Sequence, residues 1–305
     1  MPNLQIGLVH TPVTPFKRDH SIDYDTYGKL IEFHLRNGAD ALALPTPDGE
    51  DMSLKDAEQP ALLEFALRQV KGRVPVIAHV SDAGTSIAVA RARAAEAAGA
   101  AAIVSHPPYF WHPKPSMITE HLVQIGSAVR IPFFIYTPPV ESAGATINTE
   151  IAVDLVDRLE NYAGVVDASM EWVFMMETVS LARARRSDFQ LVSGADYMVS
   201  CGVIGGTGAF SAVSAVAPKL VRQVYDLCRK EQYIDARPAQ EQIAALRHLL
   251  KSPRFETGLK AALRVMGRDC GQPRPPLKAL DEAQYRAIAE QLNKMTFLRS
   301  EPKGW

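Results

Sequence analysis

Short, continuously apolar runs alternate with longer amphipathic stretches along this chain, and that alternation constrains its fold more than any other feature. The runs that read as strands cover 6–13, 41–45, 74–80, 101–105, 131–136, 164–168, 189–193 and 203–206. A strand that is apolar at every position is buried on both faces, as in a parallel sheet covered by helices. Helical patterns at 24–36, 54–70, 86–98 and 151–159 separate the strands. The strand-to-strand spacing is about 30 residues, one βα unit. Eight such units in an unbroken series predict an α/β fold closed as a (β/α)8 TIM barrel rather than an open doubly wound sheet.

After the eighth unit the pattern becomes helical, at 219–230, 236–250, 256–266 and 281–298. No Pro/Gly/Ser-rich linker interrupts the chain, so residues 1–230 are expected to form the barrel and 231–305 a helical extension of the same structural unit. The 305 residues are 47% apolar, enough for one large core. With 33 basic and 34 acidic residues and no basic run, the composition speaks against nucleic acid or an anionic membrane as partner. Three scattered cysteines suit neither a disulfide framework nor a thiolate metal site. No apolar run approaches the roughly 18 residues of a membrane span, and the opening Met-Pro-Asn-Leu-Gln lacks a signal-peptide pattern. A reduced, cytoplasmic protein is expected.

Barrel chemistry gathers where the loops leave the C-terminal ends of the strands. After the second strand, Thr46-Pro47-Asp48-Gly49-Glu50 reads either as a cradle of amides for a carboxylate or as a plain Pro-Asp-Gly turn. Tyr136 ends the fifth strand, where a phenol can shuttle a proton or simply pack. The glycine-dense stretch 202–211 implies close approach to a ligand or tight strand packing; it lacks the Lys-Ser/Thr ending of a phosphate loop. His79 and His106 end strands near Asp48, Asp82 and Asp196, yet no closely spaced ligand pair supports a metal. Neither metal nor cofactor is expected.

These residues line up with a known family. The chain resembles the dihydrodipicolinate synthase / N-acetylneuraminate lyase family of (β/α)8 aldolases over nearly its whole length, from Val13-Thr14-Pro15-Phe16 to Arg274-Pro275-Pro276-Leu277. Thr46 through Gly49-Glu50 matches the family's Gly-Thr-Thr-Gly-Glu loop, Ile135-Tyr136 with Pro139 matches Tyr-Asn-x-Pro, and Ser193-Gly194-Ala195-Asp196 with 205–211 completes the likeness. The resemblance implies a homo-oligomer, tetramer or dimer, and a substrate site that includes Thr46, Gly49, Tyr109, Ser193, Gly194 and Ala209 around Tyr136.

The same resemblance exposes departures. The family's Schiff-base lysine lies in Gly-Ile-Lys; here the stretch is Gly164-Val165-Val166, so Val166 occupies the lysine position. A valine cannot form an imine. The second relay threonine falls at Pro47 or Asp48, the relay tyrosine at Phe110 and the carboxylate-binding arginine near Glu141. Lys114 is the one lysine expected near the mouth, with Lys55 and Lys71 outside the barrel. Three readings follow: a lyase, hydratase or isomerase of small oxo- or hydroxy-acids that works without an imine, using Tyr136 and Asp48 as acid and base; a non-catalytic binding or structural barrel; and a Schiff-base aldolase with a relocated lysine.

Overall fold

The computed structural model describes residues 4–139 and 145–305. Eight parallel strands close in chain order: β1 (Leu8–His10), β2 (Ala41–Leu44), β3 (Val76–His79), β4 (Ala102–Ser105), β5 (Phe133–Thr137), β6 (Tyr162–Asp167), β7 (Gln190–Gly194) and β8 (Gly208–Ser211). Successive side chains point to opposite faces, so every strand sends apolar residues into the interior: Val9, Ala41 and Ala43, Ile77, Ala102 and Val104, Phe134, Val166, Val192 and Phe210. The alternate set, such as Leu42, Ile103, Ile135 and Leu191, packs outward against the helices. This two-faced burial explains the continuously apolar runs in the sequence.

Helices α1 (Tyr24–Arg36), α2 (Glu58–Val70), α3 (Thr85–Ala98), α4 (Pro115–Ser127), α5 (Thr149–Arg158) and α6 (Trp172–Arg183) cover the barrel. Local chemistry fixes their starts: the Asp23 and Asn148 side chains cap α1 and α5 by accepting the Thr26 and Ile151 N–H groups. After the short α7 (Met198–Val203) come α8 (Pro218–Arg229), α9 (Tyr233–Lys251), α10 (Phe255–Val265) and α11 (Glu282–Lys294). One apolar cluster runs from Leu8 and Ala209 on the barrel through Val221 of α8 to Ile243, Leu259 and Leu292 of the last three helices. The extension therefore shares its core with the β8–β1 side of the barrel.

The strand expected at 203–206 is not there. Val203 ends α7, and β8 begins five residues later at Gly208. Steric fit explains the shift. Gly205 adopts φ +91°, a Cβ on Gly206 would lie 2.6 Å from Cys201 Sγ, and one on Gly208 would lie 2.7 Å from the Gly7 carbonyl. These glycines serve close packing at the entry of β8, at the bottom of the barrel. They do not line its mouth.

Candidate active site

The polar layer sits directly above the apolar interior. Tyr136 and Val166 are register partners on β5 and β6, and both belong to the inward set. Val166 is 1% exposed, with Val192 of β7 as its other register partner. The next residue, Asp167, faces outward, where it accepts hydrogen bonds from Thr137 Oγ1 (2.8 Å), Ser169 Oγ (2.6 Å) and the Met170 N–H (3.0 Å). Position 166 is thus the inward one of this pair.

Tyr136 stacks on His106, with ring centroids 4.5 Å apart and an interplanar angle of 21°. His79 stands edge-on to both rings, 4.7 Å from His106 and 6.5 Å from Tyr136. Its orientation is fixed at both nitrogens, by Asp51 Oδ2 at 3.3 Å from Nδ1 and Ser81 Oγ at 3.1 Å from Nε2. Ser81 Oγ also accepts the His106 N–H at 2.7 Å, tying β3 to β4 at the rim. Burial, reinforced by neighbouring His79, pushes His106 well below the ordinary imidazole value, so its ring is neutral. Among the described residues no group of histidine, cysteine and carboxylate side chains could hold a metal ion. The histidines expected near the mouth are held by an aromatic and hydrogen-bonded layer.

The loop after β2 supplies the acidic group. Residues Pro47–Gly49 form a 3-10 turn, followed by Glu50 in the left-handed region at φ +61°. The turn uses its own amides: Gly49 and Asp51 donate to the Thr46 carbonyl at 2.8 and 3.3 Å, and Glu50 donates to the Pro47 carbonyl at 2.9 Å. The tight-turn reading of this segment therefore holds for those three amides, and they form no open cradle. Gly49 is where the loop presses on the segment after β1: a Cβ there would lie 3.0 Å from the Pro12 carbonyl. Asp48 accepts a 3.2 Å hydrogen bond from Thr11 Oγ1. Burial raises the Asp48 carboxyl to about 6, with Glu256 and Asp51 adding to the rise and Arg247 and the Thr11 hydroxyl opposing it. The Tyr136 phenol is also raised, first by burial and then by the charge of Asp48, so it remains an O–H donor at neutral pH. Two neighbouring polar atoms, Thr46 Oγ1 and His106 Nε2, are buried with no hydrogen-bond partner among the described residues.

Glu50 fastens this loop to the C-terminal helices. Its carboxylate meets Lys260 Nζ of α10 at 2.6 Å and accepts the Arg274 N–H at 2.8 Å. Arg274 in turn binds Glu58 at 2.6 Å and the Ser53 carbonyl at 2.7 Å. Both cations lie 4.3 Å from the centre of the Phe16 ring. This buried ion pair, with Glu50 Oε2 also accepting the Arg274 N–H, ties the loop that carries Asp48 to the C-terminal helices.

Several site residues anticipated from sequence lie elsewhere. Ser193 and Ala209 face outward, because Val192 and Phe210 take the inward positions beside them; Ser193 hydrogen-bonds Cys201, and Ala209 packs into the cluster shared with the C-terminal helices. Gly194 is at the rim under Tyr197, where an added Cβ would lie 2.9 Å from that ring. Tyr109 is half-buried, raised by burial and by Asp82 and Asp51, which places it at the β3–β4 edge of the mouth. Lys114 is exposed at the start of α4. It is not the sole lysine near the mouth: Lys260 reaches the loop after β2 from the extension, already engaged by Glu50 and by the Gln272 carbonyl at 3.3 Å. Glu141 lies outside the described residues.

The sequence reading also missed Arg247. This residue of α9 places Nε 2.7 Å from Asp196 Oδ2 and its guanidinium 4.6 Å from the centre of the Phe255 ring. Its charge acts on both Asp48 and Tyr136. Helix α9 follows the last strand by more than twenty residues, and no local pattern in the sequence announces that its arginine reaches the mouth.

With this geometry in hand, comparison with known proteins places the chain. Residues 5–295 match the family model described as the dihydrodipicolinate synthetase family. A 4-hydroxy-tetrahydrodipicolinate synthase from Bartonella bacilliformis is 32% identical over 284 residues, covering 92% of this chain and 95% of the relative. One from Lachnoclostridium phytofermentans is 29% identical over 287 residues, covering 93% and 95%. Among solved structures, dihydrodipicolinate synthase from Aquifex aeolicus superposes with TM-score 0.90 at 25% identity, covering 95% of this chain and 98% of that one. The Thermotoga maritima enzyme gives 0.89 at 27%, covering 95% and 98%.

Proposed function

The chain belongs to the dihydrodipicolinate synthetase family, and on that footing we propose that it is a lyase of small oxo- or hydroxy-acids that breaks a carbon–carbon or carbon–oxygen bond by acid–base chemistry, without a lysine imine. Family membership carries the aldolase/lyase class. The observation that carries the rest is the juxtaposition of Asp48, poised near 6, with Tyr136, whose register partner on β6 is the inward-facing Val166.

In this mechanism Asp48 is the base. A carboxylate that titrates near 6 is mostly ionised at neutral pH and more basic than an ordinary one, which favours proton abstraction. Tyr136 stays protonated and offers its O–H to the oxygen on which charge develops. For a retro-aldol step, Asp48 accepts the substrate's hydroxyl proton as the carbon–carbon bond breaks, and Tyr136 protonates or hydrogen-bonds the enolate oxygen. For a dehydration, Asp48 removes the carbon-bound proton and Tyr136 protonates the departing hydroxyl. Lys114, exposed, lacks the desolvated setting that activates an amine nucleophile, and Lys260 is held by Glu50.

Phe110, 96% exposed, and neighbouring Trp111, 43% exposed, make an exposed aromatic pair in the loop after β4 that supports the homo-oligomer, dimer or tetramer. Three free thiols fit a reducing cytoplasm, and no helix among the described residues is long and apolar enough to cross a membrane. The test is turnover of a panel of 2-oxo and 2-hydroxy acids by the wild type, Asp48→Asn and Tyr136→Phe. Turnover that both substitutions suppress is expected. Undiminished turnover in both variants contradicts the acid–base assignment, and an acid that raises the melting temperature without being consumed would make the barrel a binding protein instead.

A further inference from the structure

The proposed substrate is an acid, and the loop expected to hold its carboxylate has spent the amides of Gly49, Glu50 and Asp51 on its own turn. The neutral donors that remain there carry no charge to match a carboxylate, and the mouth contains a cationic one in Arg247. Its helix is docked to the loop after β7 by Gln240, two turns earlier, which donates to the Ala195 carbonyl at 2.9 Å and accepts the Val199 N–H at 3.2 Å. Asp196 Oδ2 lies 2.7 Å from Nε as an ion pair without hydrogen-bond alignment, and the Phe255 ring lies 4.6 Å from the guanidinium. Among the described residues no acceptor hydrogen-bonds its Nη groups, which leaves the outer edge of the fork for a carboxylate. A planar guanidinium matches that shape with two parallel hydrogen bonds. The Thr46 hydroxyl and His106 Nε2, both buried and unpartnered in the same region, call for a polar ligand beside it.

We infer that Arg247 is the carboxylate anchor of this site, holding a small 2-oxo or 2-hydroxy acid by its charged end so that the reacting carbon faces Asp48 and Tyr136. The anchor comes from helix α9 of the C-terminal extension. Asp196 and Phe255 are its positioning residues. Of the two acids that raise Asp48, Glu256 pairs with Arg254 at 3.2 Å and Asp51 lies 3.3 Å from His79 Nδ1. The assignment rests on the acid–base reading of the same mouth, but binding tests it independently of turnover.

Isothermal titration of the full chain at pH 7.5 with pyruvate, 2-oxoglutarate and the uncharged analogue pyruvamide provides that test. The wild type should bind at least one of the two acids, and pyruvate at least about tenfold more tightly than pyruvamide. Arg247→Gln should weaken acid binding by at least about tenfold and leave pyruvamide within about twofold, with Arg247→Lys in between. Equal affinity for pyruvate and pyruvamide, unchanged acid binding in Arg247→Gln, or no acid binding by the wild type would overturn the inference. If Arg247→Gln fails to fold, the wild-type comparison and Arg247→Lys still decide. Acid binding lost with Arg247 in a protein that turns nothing over would uphold the anchor and count against the acid–base reading alone.

Discussion

The two walls of the barrel mouth are built on different principles. The β5–β6 wall is strand: Tyr136 and Val166 sit side by side in register above Phe134, and everything below them is apolar and close-packed. The opposite wall is loop and appended helix: Thr11, Thr46 and Asp48 face Arg247 and Asp196, held by the Glu50–Lys260 pair. Strand positions are fixed by barrel geometry and offer one inward side chain at each level. Loop and helix positions are free to carry ionisable groups, at the cost of an ion-pair framework to keep them in place. The groups to which the proposed chemistry is assigned stand mainly on the second wall, with only the phenol on the first.

The contrast can be broken from either side. The largest effect is expected at Asp48: Asp48→Asn should lower kcat/KM on the productive acid by about 10²–10⁴-fold and abolish the rise of wild-type activity with pH through about 6. Tyr136→Phe should cost less, about 10²-fold, and leave that pH limb in place; a limb that moved with Tyr136 instead would reverse the assignments. On the apolar wall the readout changes from rate to stability. Phe134→Ala should destabilise the fold by about 3–5 kcal/mol in denaturant unfolding. Gly164→Ala, whose Cβ would lie 2.3 Å from the Gln190 carbonyl, should cost about 1–3 kcal/mol.

The smallest effect separates function from stability at a single residue. The folded-state value of Asp48 is raised, so the folded protein favours the protonated form, and its contribution is lost as pH rises from 3.8 through about 6. Asp48→Asn should therefore raise the melting temperature by a few degrees at pH 8 and by about half as much at pH 5. A variant less stable at both pH values would make Asp48 a structural residue.

Much of the fold was legible because barrel strands buried on both faces carry their own signature. Helix 24–36 was read with both ends right, and seven of the eight strands overlap their runs. The eighth failed because Val203-Ile204 looks like a strand locally, whereas the helix before it and the glycine contacts with Cys201 and Gly7 are tertiary facts. At the site, residues bound to strand order, such as Tyr136 and Asp48, could be nominated from the sequence. Ser193 and Ala209 failed by the side of the strand they occupy, since a run apolar at every position carries no alternation to say which residue turns inward. Asp51, Ser81 and Arg247 were invisible because their partners lie on other elements, 28, 25 and 51 residues away in the cases of His79, His106 and Asp196.

The central claim is that no amine of this chain takes up a keto acid covalently. Incubation of the intact protein with pyruvate and sodium borohydride, followed by whole-protein mass spectrometry, measures it most directly. The account predicts an unchanged mass. A stoichiometric gain of one reduced pyruvyl group, mapped to Lys114, Lys260 or any other lysine, would contradict it.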